Sequence, residues 1–372
     1  MSVSLTKPEI ELNTVEEAIA DIKAGKVVIV VDDEDRENEG DFICAAQCVT
    51  PEIINFMATH GRGLICAPLD ERRVEELGLP MMVQDNTALH ETAFTVSIDL
   101  IGQGCTTGIS AHDRATCIRA LVDPNIKTEH FARPGHIFPL KAKTGGVLRR
   151  TGHTEAAIDL ARLAGYYPAG VLVEILNEDG TMARLPQLIR IAQRHDLKVI
   201  SIKDLVSYRM RHERIVQEVF TTEMETRYGT LGIKLFSQIT TGDMHLAVIK
   251  GDVHTDEPVL VRVHSSTLAG DLLGNLLENN GEVMQQAMIR IAEEGQGIFL
   301  FMRHGDGETL IQQIKNRVNQ NLPDASPQRD FGIGAQILRE LGVSKIKLLS
   351  RHPRKRIGLE GYGLEIVDLV QL

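Results

Sequence analysis

Residues 32–41 read DDEDRENEGD, seven carboxylates (Asp32, Asp33, Glu34, Asp35, Glu37, Glu39 and Asp41) around one guanidinium, Arg36. Like charges this close repel, so such a loop holds only if solvent, a metal ion or a cationic ligand neutralises it. A charge run is ordinarily a solvated turn. Here the run leaves residues 27–31 (VVIVV), a buried strand by composition, and strand ends are where α/β proteins bind ligands. Gly40 lets the backbone approach a ligand, and a hard divalent cation needs only one or two carboxylates beside water or substrate oxygens.

A second segment, RRTGHTEA at residues 149–156, opens a helix with Arg150, Thr151, Gly152 and Thr154 at its start. A guanidinium, a hydroxyl and helix-end N–H groups suit a phosphate monoester. His153 among them is a metal ligand or a helix cap. Thr107 lies in GCTTGIS (residues 104–110), small hydroxyl residues between glycines ahead of a helix, a weak anion-site pattern shared with ordinary turns. Glu174 stands inside the apolar run VLVEIL, where a carboxylate must be paired, protonated or functional. Cys66, in the short strand expected at residues 63–68, has the ordinary reading of a small buried hydrophobe.

The elements that would position these groups follow from caps and periodicity. Thr14 with Glu17 forms a capping box before a helix that Gly25 stops. Thr50-Pro51 starts a second helix ending near Gly61, and Ser110 caps a third. Strands are expected at residues 93–98, 136–140 and 171–176, and a helix from about residue 153 to Gly165.

At 372 residues the chain exceeds one ordinary core, and two domains are expected. The net charge of −11 argues against nucleic-acid binding, for which the short basic run RHPRKR at residues 351–356 is no counterweight. No apolar window is long enough to span a membrane, and no signal peptide is visible at the N-terminus. The five cysteines (Cys44, Cys48, Cys66, Cys105, Cys117) are odd in number and without a CxxC pair, which suits free thiols in a reducing cytoplasm.

In order over about residues 5–205, DDEDRENEGD, RGLICAP, TTGISAHDR, RPGHIFPL, RRTGHTEAAIDL and VLVEILNEDG resemble 3,4-dihydroxy-2-butanone 4-phosphate synthase. The resemblance implies conversion of ribulose 5-phosphate to 3,4-dihydroxy-2-butanone 4-phosphate and formate with Mg²⁺ (or Mn²⁺), in a cytoplasmic homodimer. It implies Glu37 and His153 as metal ligands, and Glu39, Asp41 and Asp32 as proton-transfer groups. His136 and Glu174 would serve the skeletal shift and substrate orientation, with Cys66 in support. Arg36, Glu37, Asp41, Thr107, Arg150, Thr151, Gly152, His153, Thr154 and Glu174 would contact substrate, with Thr107, Arg150 and Thr154 near its phosphate.

Residues 206–218 read as a charged linker helix, and a second domain is expected over 219–372, with strands at 230–240, 245–250, 259–264, 297–302 and 346–350 and helices at 282–294 and 332–341. VLVRVHS, LAGD, IAEEGQGIFLFMR and LRELGVSKIKLLS resemble GTP cyclohydrolase II. The positions of that family's three zinc cysteines carry Thr267, Glu278 and Asn280, and no cysteine follows Cys117. A tetrahedral thiolate site cannot form, so no zinc is expected. The family's EGRNIGL stretch is replaced by residues 305–310 (GDGETL). Pro327 stands at the aspartate of its D-x-R segment, where Arg329 remains, and its nucleotide-contacting threonine and lysine fall near Ser350 and Lys355. The fold class expected is α+β (mixed α/β): a synthase domain with a mixed sheet and surrounding helices, then a degenerate α/β-type domain. A bifunctional enzyme with a thiolate-free second site, and a binding protein that kept only the fold, are the competing readings.

Overall fold

The computed structural model describes residues 12–34, 36–88, 92–239, 242–266, 280–303, 327–350 and 364–372. The chain divides into two compact units, residues 1–208 and 209–372.

The first unit runs α1 (Val15–Lys23), β1 (Val28–Val31), β2 (Gly40–Ala45), α2 (Pro51–His60), β3 (Cys66–Leu69), α3 (Glu71–Glu76), β4 (Ile98–Leu100), α4 (Ala111–Leu121), β5 (Phe131–Lys141), α5 (His153–Leu163), β6 (Gly170–Glu174), α6 (Leu185–His195), β7 (Val199–Ser201) and α7 (Ile202–His212), in which the division between the units falls. Its sheet is mixed, in the order β4-β5-β3-β6-β2-β1-β7. The expected caps are present: Thr14 and Glu17 form the box, Thr50 accepts from the Ile53 N–H and Ser110 from the Asp113 N–H. Gly25, at φ 76°, takes the left-handed turn that ends α1.

Both faces of the sheet are covered. Phe42, Val171 and Val173 pack with Ile54 and Met57 of α2 and Ile118 of α4, while Val28, Val30, Ile43 and Leu172 pack with Ala18 and Ile22 of α1 and Ala156 and Leu160 of α5. Strand residues therefore read as unbroken apolar runs rather than alternating ones.

Several expected boundaries move: the strand expected at residues 136–140 is β5, starting five residues earlier, and that expected at 171–176 is β6, ending at Glu174. The strand expected at residues 93–98 is reduced to isolated bridges at Phe94 and Thr95 before β4. Its neighbour there is Pro139 of β5, which has no N–H to give a ladder. The strand expected from Gly63 starts at Cys66, because the Gly63 and Leu64 amides turn instead to the Glu174 carbonyl and Glu174 Oε2. The helix expected at residues 206–218 is α7, starting four residues earlier where the Ser201 hydroxyl accepts from the Asp204 N–H. It ends at His212, and β-branched Val216 and Val219 begin a strand.

The second unit runs β8 (Val216–Thr226), β9 (Gly229–Gln238), β10 (Met244–Lys250), β11 (Val259–Ser266), α8 (Asn280–Glu294), β12 (Gly297–Arg303), α9 (Pro327–Glu340), β13 (Lys345–Ser350) and β14 (Glu365–Gln371). Its sheet orders as β14-β13-β11-β12-β10-β9-β8, with β10 antiparallel and β11 parallel to β12. Each element expected after residue 230 is present, with ends shifted by a few residues. Of the positions weighed for its chemistry, Thr267, Glu278, residues 305–310 and Lys355 lie outside the described residues, as do the side chains of Asn280, Pro327 and Arg329. Asp35 of the acidic loop and Thr240 are outside them too.

Candidate active site

Strand pairing explains how distant residues share one face. Val30 pairs with Asp41 across β1 and β2, Asp41 with Glu174 across β2 and β6, and Cys66 of β3 with both Leu172 and Phe138. Side chains two residues apart share a face, so Asp41, Glu174, Cys66 and His136 lie on the side covered by α5. His136 is two strands from Glu174, roughly 10 Å at ordinary strand spacing.

The acidic loop closes over this face. Asp32 organises it: Oδ2 accepts from Arg36 Nη1 at 2.8 Å and from the Glu37 N–H at 3.1 Å, and Oδ1 from the Glu39 N–H at 2.8 Å. The repulsion expected among its carboxylates is met by nearby cations. Arg36 also donates to Glu37 Oε2, Arg184 Nη1 stands 4.0 Å from Glu39 Oε1, and His153 Nδ1 lies 3.8 Å from Glu37 Oε2.

His153 is the first residue of α5 and 7% exposed. Its Nε2 lies 3.2 Å from the Val30 carbonyl. A carbonyl only accepts, so that nitrogen carries the proton and Nδ1 faces the carboxylates. Atoms of Asp32, Glu37 and His153 lie within 4.8 Å of one another. Two carboxylates and an imidazole fit a hard divalent ion that completes its shell with water and substrate oxygens.

The electrostatics are uneven. Burial pushes the Asp41 carboxyl up to about 7; Glu174, Glu37 and Glu39 add to that and His153 opposes it. Asp41 is 3% exposed, and its Oδ1 has no hydrogen-bond partner among the described residues. Burial would raise Glu37 too, but His153 and Arg36 outweigh it and hold the group down to about 2. Burial would lower His153, yet Asp41, Glu37 and Asp32 together lift it to about 9. Glu39 is raised by burial and by Glu37. Burial, with Glu174 and Asp41 beyond it, pushes the Cys66 thiol up, so Cys66 is no thiolate nucleophile.

Glu174 is held by the Leu64 N–H, which donates to Oε2 at 3.0 Å. A Cβ on Gly63 would sit 2.6 Å from that oxygen, so only glycine admits the carboxylate. His136 is held by Asp99, whose Oδ2 is 2.7 Å from Nδ1 and whose Oδ1 accepts the His136 backbone N–H at 2.9 Å. The loop of Thr107 abuts this pair, since a Cβ on Gly108 would collide with the Asp99 carboxylate at 2.2 Å. Asp113 ties that loop down, accepting from Thr106 Oγ1 and from the Thr106 and Gly108 amides.

Arg150 Nη1 donates to Glu155 Oε2 at 2.7 Å, and the Lys143 N–H donates to Glu155 Oε1 at 3.0 Å. Gly152 admits the same guanidinium, since a Cβ there would lie 2.3 Å from Arg150 Nη1. Thr154 is buried in the first turn of α5, while Thr151 is half-buried and Thr107 exposed. Among the sequence-derived candidates, the structure brings together Asp32, Arg36, Glu37, Glu39, Asp41 and His153, with Glu174 beside Asp41. His136 lies in a separate group with Asp99, beside Gly108 of the Thr107 loop, and Arg150 in a third with Glu155. Asp99 and Arg184, which hold others in place, lie in no motif, and Glu155 lies within RRTGHTEA without having been singled out.

The family model for 3,4-dihydroxy-2-butanone 4-phosphate synthase matches residues 16–208, and that for GTP cyclohydrolase II residues 216–371. Riboflavin biosynthesis protein RibBA of Cytophaga hutchinsonii is 56% identical, over 98% of this chain and 93% of its own. RibBA of Parabacteroides distasonis is 52% identical with the same coverage. Among solved structures, RibBX, a two domain 3,4-dihydroxy-2-butanone 4-phosphate synthase from A. baumannii, is 42% identical with a TM-score of 0.75, covering 97% of this chain and 99% of that one. A 3,4-dihydroxy-2-butanone 4-phosphate synthase in complex with two magnesium ions is 43% identical with a TM-score of 0.52, covering 54% of this chain and 98% of that one.

Proposed function

We propose, from the premise that the chain belongs to the 3,4-dihydroxy-2-butanone 4-phosphate synthase family and carries a GTP cyclohydrolase II-family domain after it, that its first unit converts D-ribulose 5-phosphate to 3,4-dihydroxy-2-butanone 4-phosphate and formate in riboflavin biosynthesis. Product and formate together hold every atom of the substrate, so the reaction needs no oxidant, reductant or added water. It needs protons moved and oxyanions stabilised.

The observation that carries the reading is the pairing of Glu37 with His153 beside the Asp41–Glu174 row. Glu37 and His153, with Asp32 adjoining, would hold Mg²⁺ or Mn²⁺, which supplies positive charge for a developing enediolate. Asp41, with a carboxyl near 7, exchanges a proton with substrate at neutral pH, and Glu39 serves the same face. His136, its Nδ1–H fixed on Asp99, presents Nε2 for a second transfer. Glu174 orients the sugar hydroxyls. Arg36 contacts substrate from the loop, and Arg150, Thr154 and Thr107 receive the phosphate. Cys66 packs beneath Glu174. The enzyme works as a homodimer.

The second unit is read as inactive in GTP hydrolysis, because no cysteine lies beyond Cys117 to supply a thiolate. Its match to the GTP cyclohydrolase II family favours the opposite reading, a bifunctional enzyme whose second site uses other ligands. Pure protein is incubated with ribulose 5-phosphate and Mg²⁺, with and without chelator, and separately with GTP, and formate is followed by NMR. Chelator-sensitive formate from the sugar phosphate alone is expected. None from the sugar phosphate sinks the first reading, and formate with pyrophosphate from GTP sinks the second.

A further inference from the structure

The entry to α6 supports the acidic loop from the side opposite Asp32. Arg184, the residue just before α6, donates from Nη1 to the Glu37 carbonyl at 2.8 Å and also to the Asn38 carbonyl. The same nitrogen is 4.0 Å from Glu39 Oε1. One turn on, Leu188 packs so tightly against Gly40 that a Cβ there would lie 2.4 Å from Leu188 Cδ1. Between these contacts Asn38 holds φ 54°, a left-handed backbone that asparagine tolerates but does not prefer. Residues 37–40 are thus gripped on both sides. Asp32 takes the Glu37 and Glu39 amides, and Arg184 takes the Glu37 and Asn38 carbonyls.

We propose that Arg184 is a positioning residue of the synthase site: by holding those two carbonyls it fixes the peptide that aims Glu37 at His153 and Glu39 at the substrate face. Its ion pair with Glu39 is long and the guanidinium is 42% exposed, so charge attraction contributes little. The carbonyl contacts do the positioning, because a donor shared by two consecutive carbonyls restrains the dihedrals between them. Outer contacts of this kind typically cost about 10–100-fold in metal affinity or activity when removed. The kinetic part of this inference rests on the function proposed above, whereas the geometric part does not.

Full-length Arg184→Ala and Arg184→Lys are compared with the parent. In metal-free protein, hydrogen-exchange mass spectrometry over residues 32–41 should show about tenfold faster exchange in Arg184→Ala, and Mn²⁺ affinity by EPR should fall by about 10–100-fold. With ribulose 5-phosphate, kcat should fall by a similar factor while KM stays within about twofold, since the phosphate is held elsewhere. Arg184→Lys, which keeps a cationic donor, should recover part of each loss and serves in its place if Arg184→Ala does not fold. Unchanged exchange and Mn²⁺ affinity in both variants would overturn the proposal, as would a kcat loss with no change in exchange. A parent that releases no formate would defeat the proposed function alone, and exchange with Mn²⁺ binding would still decide the role of Arg184.

Discussion

Replacing Asp41 by asparagine should make the metal-free first unit more stable at alkaline pH while disabling it. Asp41 is fully enclosed, one of its oxygens has no partner among the described residues, and burial pushes its carboxyl up to about 7 from an ordinary value of 3.8. A raised carboxyl keeps its proton in the folded state over a pH range where the unfolded chain has lost it. Stability therefore falls as pH rises from about 4 to about 7 and is level beyond. At 1.36 kcal/mol per pKa unit the penalty is about 2 kcal/mol at pH 5 and about 4 kcal/mol at pH 8. Asparagine carries no such penalty, but its amide, lacking a partner, costs about 1–3 kcal/mol at any pH. The variant should be near parity with the parent at pH 5 and gain about 2 kcal/mol on it by pH 8. Urea unfolding in EDTA, followed by exchange of β2 and β6 amides, isolates this unit from the second. Formate release should drop by about 100-fold or more. A stability difference that stays flat from pH 5 to pH 8 would refute the assignment of Asp41 as a carboxyl strained by burial.

Three further outcomes are expected. Because metal binding must displace the proton that Asp41, Glu37 and Asp32 keep on His153 up to about 9, Mn²⁺ affinity should rise about tenfold per pH unit from about pH 6.5 to 9, and a pH-independent affinity would contradict it. Gly63→Ala places a Cβ 2.5 Å from the Glu174 carbonyl oxygen and 2.6 Å from Oε2. It should cost about 1–3 kcal/mol of stability and depress kcat more than KM, measured by urea unfolding and steady-state kinetics. Gly108→Ala combines a φ of 90° with a collision against Asp99, so loosening of His136 should appear as shifted, broadened imidazole NMR resonances; unchanged resonances would remove Asp99 from its supporting role.

Much of the site was legible because its chemistry is local. The acidic loop, the RRTGHTEA turn and the glutamate inside an apolar strand each carry a mark in their own few residues. So do the caps Thr14, Thr50 and Ser110. What stayed hidden is what long-range contact creates. Asp99 holds His136 across 37 positions and Arg184 reaches back 147 to Glu37, and neither sits in a pattern that marks a partner so distant. Glu155 and Asp159 fall inside RRTGHTEAAIDL but have the spacing of ordinary polar helix residues, yet both are buried and accept amides of the preceding loop. The resemblance implied proton transfer for Asp32; that its oxygens also hold two backbone N–H groups and a guanidinium is a contact no local pattern foretells. The strand expected at residues 93–98 shrinks to bridges where Thr95 donates to the Pro139 carbonyl and Pro139 has no N–H to return.

The alternation of side chains along β2 and β6 also limits how this gene can change. Asp41 and Glu174 meet because their strands pair in one register, with Phe42 opposite Val173 on the other face. A single codon gained or lost inside either strand would turn its carboxylate into the apolar layer beneath and bring an aliphatic residue up in its place. Such events should be purged from both strands, while the exposed turn at residues 178–181 accepts them. Length variation among descendants of this sequence should therefore collect in the turns, and the spacing from Asp41 to Ala45 and from Gly170 to Glu174 should stay constant even where the intervening residues drift.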